Sequence, residues 1–169
     1  MTQQSLGFSS IASAPIFVVS APNLQITGPG FPPKLSIRSL AFQELSSINS
    51  EINIEQYIAV DSNGVVNHTK QFGVTKPPSV QLKRGLDSNL SLWYWHQMAL
   101  LGLPKSRSDV TLEMFGGGLP SIARATPMTT MTLQNAWCAK INIASAKAGE
   151  GVVTEDVVIA CDAIVLGDG

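Results

Sequence analysis

Lys83 and Arg84 stand a few residues ahead of a Trp-x-Trp pair, Trp93 and Trp95, in the window LKRGLDSNLSLWYWHQ. Two cations beside two indole rings can hold a phosphate and stack a base. They can equally fasten a helix onto a sheet. The second reading is favoured, because the neighbours of the tryptophans are Leu, Met and Ala, and no further basic groove accompanies them. Lys and Arg number 11 against 12 Asp and Glu, so no global field draws in a polyanion. The two histidines, His68 and His96, lack a Cys, His, Asp or Glu at metal-ligand spacing, and His96 reads as a surface residue of the helix. No G-x-S-x-G elbow occurs. The glycine triplet at 116–118 is followed by LPSIAR, without the Lys-Ser/Thr of a phosphate loop. Carboxylates are scattered rather than paired for acid/base work. The expectation is a chain with no catalytic, cofactor-binding or metal-binding residue, and no cofactor. Cys138 and Cys161 sit on apolar strand-like stretches and read as buried free thiols.

The elements that would position these residues are mostly strands. IFVVS is a short strand, and APNLQITGPGFPPK is a proline-rich loop or edge. KLSIRSL places Leu35 and Ile37 on one face. SEINIEQYI places Ile52, Ile54 and Ile58 on one face, for the core, and Asn53, Glu55 and Tyr57 on the other, for water. DSNG at 61–64 is a hairpin turn. SVQLK, closed by Gly85, DVTLEMF, MTLQNAWCAKINI and TEDVVIACDAIVL complete the strands. Met114, Met128 and Met131 read as core or interface filler. Only Asp87 to about Leu101 has a helical period, with Asp87 or Ser88 as cap and Gly102 and Pro104 as stop. Leu90, Trp93, Gln97 and Leu101 form one stripe, and Leu92, Trp95, Ala99 and Leu103 a neighbouring one. Residues 1–15 lack a period and read as a flexible arm, leaving 16–169 as a single β domain.

Charged residues make up 14% of the chain, against about 25% in ordinary soluble domains. With a mean hydropathy of +0.18, such a surface repels its own copies weakly, which favours extensive self-contact. Apolar runs are too short and too broken to span a membrane, and the opening MTQQSLGF has no basic n-region, so neither an anchor nor a leader is expected.

Six segments, in order, carry a resemblance: FQELSSINSEINIEQY, KQFGVTKPPSVQLKRG, LSLWYWHQ, SRSDVTLEMF, LQNAWCAKI and VVTEDVVIACDAIVL. Together they resemble the T4-like phage tail tube proteins over roughly residues 40–166. That family includes the tubes of contractile phage tails, R-type bacteriocins and extracellular contractile injection systems, and is similar in fold to the type VI secretion tube. The chain departs from it in a longer proline-rich loop, in Cys138 where many relatives have Pro, and in an inserted TPMTT.

The resemblance implies two packed antiparallel sheets, a β-sandwich or small barrel, with one flanking helix at about 87–101. It implies a structural role: hexameric rings stacked into a hollow rod inside a contractile sheath. Partners would be further copies, the sheath protein, baseplate, spike and tube-terminator proteins, and DNA or protein cargo in the lumen. Assembly would occur in the bacterial cytoplasm. Leu82, Lys83, Arg84, Gly85, Trp93, Trp95, Asn135 and Trp137 become packing or inter-subunit residues. Gly85 would permit the sharp exit to the helix, and Lys83 and Arg84 would meet carboxylates of the next copy. The two tryptophans must face apart, so one docks on its own sheet and the other on a neighbour or sheet edge. Asn135 and Trp137 pack or cap within the sheet. The competing reading is a small β-barrel that binds a ligand.

Overall fold

Alternating β-branched and polar residues form strands because one side of each can be buried while the backbone pairs laterally. The computed structural model describes residues 15–116, 126–144, 148–149 and 151–167. The strands are β1 (Ile16–Ala21), β2 (Ile37–Phe42), β3 (Glu44–Val60), β4 (Val66–Gly85), β5 (Ser108–Phe115), β6 (Thr129–Ile143), β7 (Thr154–Ala160) and β8 (Ala163–Gly167). Helix α1 (Ser91–Leu100) and a short 3-10 turn at Pro104–Ser106 lie between β4 and β5. The expected 1–15 arm falls almost wholly outside the described residues.

All pairings are antiparallel, in the order β2-β1-β5-β6-β7-β4-β3, with β8 beside β6. The two ends of that order are joined. Only Gln43 separates β2 from β3, and its N–H donates to the Lys83 carbonyl at 3.0 Å. One sheet therefore curls on itself into a barrel-like sandwich. The segment expected as one closing strand is broken at Cys161–Asp162 into β7 and β8, both alongside β6. Val19, Ile37, Val80, Leu82, Val110, Leu133, Val157 and Ile159 fill the interior.

Helix α1 closes one side of this core. Its inner stripe, Leu92, Trp95 and Met98, is fully buried, while Trp93 is 39% exposed, so the two tryptophans do face apart. The Trp95 indole N–H donates to the Ser106 carbonyl at 2.6 Å. His96 is half-buried, and its Nδ1–H donates to the Cys138 carbonyl at 2.9 Å, tying the helix to β6. The helix is shorter than expected and its cap lies elsewhere. Asp87 accepts from the Asn89 N–H, and Asn89 from the Ser91 N–H, so two successive Asx turns lead in and Leu90 is the capping position. Gly102, at φ +67°, ends it as expected, with the Leu103 N–H donating to the Met98 carbonyl. Phe31 of the proline-rich loop packs on Tyr94, ring centroids 4.9 Å apart, while Leu24 and Ile26 are buried beneath.

The main departure lies in β3 and β4. They form a long hairpin whose distal part projects past the core, closed by Asp61–Gly64, where Asp61 Oδ1 accepts from the Asn63 and Val65 N–H groups. The Ile face expected in the core is exposed: Ile52 by 43%, Ile54 by 70% and Ile58 by 58%. The alternation is as read, but the core ends before these residues begin.

Truncating Trp95 removes a fully buried ring, so Trp95→Ala is expected to cost about 3–5 kcal/mol, and Trp93→Ala less than about 1 kcal/mol. Urea unfolding followed by far-UV circular dichroism measures both. Equal losses would contradict this assignment of faces.

Candidate functional site

The residues singled out in the sequence fall into two structural knots and one surface. The first knot is Arg84. Leu82 and Arg84 alternate with Lys83 along β4, and register places Arg84 opposite Glu155 on the inner side. Arg84 is 4% and Glu155 1% exposed. Arg84 Nε donates to Glu155 Oε2 at 2.7 Å, one terminal nitrogen donates to the Asn89 carbonyl at 2.9 Å, and the other reaches Asp87 at 3.4 Å. A buried guanidinium requires this full set of acceptors, since each unmet donor would carry its desolvation cost. Arg84 therefore does not reach the next copy. It ties β4, β7 and the approach to α1 within one subunit. Lys83 points outward between Glu44 and Asp156 in the register. Gly85 is not in the left-handed region, and an added Cβ would meet only Val152 at 3.6 Å, so the exit to the helix does not need glycine.

The second knot is Asn135. β6 carries an extra residue opposite β5 between Ser108 and Val110, and Asn135 there has φ +51°, a conformation that Asn tolerates better than most side chains. Its N–H donates to Asp109 Oδ1 at 2.9 Å, and its side-chain amide to Asp162 Oδ2 at 2.6 Å. Arg107 reaches Asp162 at 3.7 Å and lies over the Trp137 ring, 4.3 Å from its centroid. This knot sets the bend at which β6 leaves β5 for β7.

The surface is the β3–β4 hairpin and the sheet behind it. Directly opposed residues share a face. Ile54 pairs with Phe72, Gln56 with Lys70, Ile58 with His68 and Val60 with Val66, and this face continues the core-facing side of the barrel through Ile48 opposite Val80. Phe72 is 88% exposed. The other face carries Glu55, Tyr57 and Ala59 opposite Gln71, Thr69 and Asn67. It continues the outward side of β3, β4, β7 and β6, where Glu44, Lys83, Asp156 and Asn142 form one cross-strand row and Ser47, Gln81, Val158 and Lys140 the next. One side of the projecting hairpin thus carries exposed apolar residues, interrupted by Gln56, Lys70 and His68, and the other is mainly polar with charges of both signs. The sequence reading missed Phe72 and the start of β4, because the HTKQ stretch ahead of it carries no apolar alternation and Pro77-Pro78 suggests a break.

The remaining groups offer little chemistry. Cys138 and Cys161 are buried and free. Burial first, and then the nearby Glu155 charge, push the Cys138 thiol up to about 12. Burial and Asp162 raise Cys161 as well. Neither is a thiolate nucleophile near neutral pH. A concavity of about 520 Å³ is an open groove at the base of the hairpin between Glu51, Lys76, Pro77, Pro78 and Asp162. Among the described residues, no buried side-chain polar atom lacks a partner, so nothing inside waits for a ligand.

A curled antiparallel sheet with one helix and a projecting, unpartnered hairpin is the architecture of a tube-forming structural protein. The model of the family described as T4-like virus tail tube protein gp19 matches residues 16–164, and the chain belongs to that family, which is structural and not enzymatic. Among solved structures, it is similar to a chain of the anti-feeding prophage baseplate, with TM-score 0.62, 15% identity and coverage of 95% of this chain and 97% of that one. It is also similar to a chain of the PVC extracellular contractile injection system sheath-tube complex in the extended state, with TM-score 0.56, 16% identity and coverage of 90% and 88%. A third match is a chain of the PVC sheath/tube terminator, at TM-score 0.54, 16% identity and coverage of 90% and 93%. At such identities the likeness is one of fold. No curated protein matches the chain.

Removing one partner of the buried ion pair leaves an uncompensated charge, so Arg84→Ala is expected to cost about 3–5 kcal/mol. The double variant Arg84→Met/Glu155→Leu should recover most of that loss in denaturant titrations. Failure to recover would show that the arginine acts mainly through its bonds to the helix approach. At pH 8 the native Cys138 thiol should resist iodoacetamide and become alkylated only in denaturant, as read by peptide mass spectrometry.

Proposed function

We propose that the chain is the inner-tube subunit of a contractile phage tail or tail-like injection particle. Copies close into rings, hexameric as the family resemblance implies, and the rings stack into a hollow rod. The rod lies within a contractile sheath, ends on baseplate, spike and terminator proteins, and carries cargo through its channel. The observation that carries this reading is the exposed apolar cross-strand pair on one face of the hairpin, Ile54 opposite Phe72, each at least 70% exposed. A two-stranded hairpin of this kind is marginal alone in water. Contact with another copy supplies the missing cover, and the free outer edge of β3 offers unpaired N–H and C=O groups to the same neighbour. The polar outward face of β3, β4, β7 and β6 lines the channel, where its opposed charges hold neither polyanion nor polycation strongly.

The test is sedimentation velocity and negative-stain electron microscopy of purified protein. Rings or rods are expected to grow with concentration. Phe72→Glu with Ile54→Glu should leave a folded monomer with an unchanged far-UV spectrum and abolish rods. A wild-type chain that stays monomeric at every concentration would overturn the proposal.

A further inference from the structure

The turn that closes the β3–β4 hairpin sets a carboxamide beside an unhindered backbone nitrogen. Of the asparagines in the chain, only Asn63 is followed by glycine. Both residues are exposed, at the end of the hairpin beyond the last strand pair, Val60 opposite Val66. Asp61 Oδ1 holds Asn63 by its backbone N–H, at 2.9 Å, and the carboxamide is left on the solvent side. Gly64, at φ +80°, takes the left-handed position of a three-residue hairpin loop, and an added Cβ would meet nothing within 4 Å. No side chain therefore screens the Gly64 nitrogen. Its N–H donates to the Asp61 carbonyl at 3.0 Å, a bond that has to open before the nitrogen can react. At the exposed end of a two-stranded hairpin such a bond opens at little cost in free energy.

We infer that Asn63–Gly64 is a self-modification site, where the carboxamide becomes a carboxylate and the turn is rebuilt. The Gly64 nitrogen gives its proton to base and attacks Asn63 Cγ. A new C–N bond forms, the bond from Cγ to the amide nitrogen breaks, and that nitrogen leaves as ammonia, taking a proton back. The product is a five-membered succinimide ring. Water, the sole co-reactant, then adds to one of the two ring carbonyls and the C–N bond there breaks. Opening at Cγ gives aspartate. Opening at the backbone carbonyl gives isoaspartate, whose main chain runs through the former side chain. Closure between adjacent residues has the advantage of any intramolecular reaction, and asparagine is a thermolabile residue in general. Elsewhere a side chain on the next residue crowds the attack, as Ile54 does after Asn53 and Ile143 after Asn142. Asn135 is held further by the bond from its amide to Asp162 at 2.6 Å. Loop length sets the register of a hairpin, so the longer main chain of isoaspartate disturbs the pairing of Val60 with Val66. The chemistry belongs to the single copy, and only its effect on assembly rests on the tube reading.

The experiment ages the purified full-length chain in mildly acidic and mildly alkaline buffer. Samples are digested with pepsin at acid pH and mapped by mass spectrometry, with isoaspartate labelled by an isoaspartyl methyltransferase. Aspartate and isoaspartate are expected to accumulate at position 63, several-fold faster in the alkaline buffer and several-fold faster than at any other asparagine. Gly64→Ala should slow the conversion several-fold, and Asn63→Gln should yield almost no product. An Asn63 that keeps its amide, or that converts no faster than Asn49 or Asn67, would overturn the inference. Rod yield relative to fresh protein is expected to fall with ageing in the wild type and to hold in Asn63→Gln. A converted wild type that forms rods as well as fresh protein would overturn the effect on the turn. Fresh wild type that forms no rods would remove the tube reading, while the mass measurement still decides the modification site.

Discussion

A strand can bury one face only as far as the core beneath it extends. In this chain the core ends near Val80, where Ile48 opposite it is already 38% exposed, yet β3 continues to Val60 with Ile52, Ile54, Ile58 and Val60 on the same face, interrupted by Ser50 and Gln56. Everything distinctive about the molecule follows from that mismatch. The inner face beyond Ile48 runs past the core, and the outer face is mainly polar, with Tyr57, Ala59 and Val158 among its polar residues. The same continuous strand thus belongs partly to a barrel and partly to a hairpin that projects past it.

The rest of the structure keeps the mismatch from being relaxed. Pro77 and Pro78 supply no ladder donors, and the chain opposite turns at Cys161–Asp162, so β4 separates from β8 and the hairpin cannot fold back into the sheet. Arg84 with Glu155 ties the root of the hairpin to β7, and Asn135 with Asp162 fixes the bend of β6. These polar knots are small and internal. Their role is to hold the barrel rigid, so that the projecting hairpin leaves it in a defined direction. A filament requires this, because each small error in direction is repeated at every copy.

Much of this was legible in the sequence. Most of the strands, the hairpin turn at Asp61–Gly64, the helix with its two apolar stripes and the separate fates of Trp93 and Trp95 follow from period and turn chemistry. The absence of any paired reactive groups in the sequence also pointed away from catalysis, as family membership bears out. What sequence could not supply was the distance each strand runs past the core. Ile52, Ile54 and Ile58 have the spacing of core residues, and periodicity does not record whether a core lies beneath them. Arg84 and Lys83 are neighbours with similar chemistry, and only the register with β7 sends one inward and the other outward. For Gly85, the expectation that glycine is what permits the sharp exit to the helix fails, because its φ is not in the left-handed region and a Cβ would fit.

The central claim is that other copies complete the sheet beyond Ile48, and amide hydrogen exchange of residues 52–74 reads it most directly. In dilute, unassembled protein these amides should exchange rapidly, as expected of a hairpin with one open edge and one uncovered face. In assembled rods the outward-facing N–H groups of β3 should become strongly protected, while amides of the barrel interior change little. Rods whose β3 amides exchange as fast as those of the free subunit would contradict the account, because assembly would then leave the hairpin as bare as it is in a single copy.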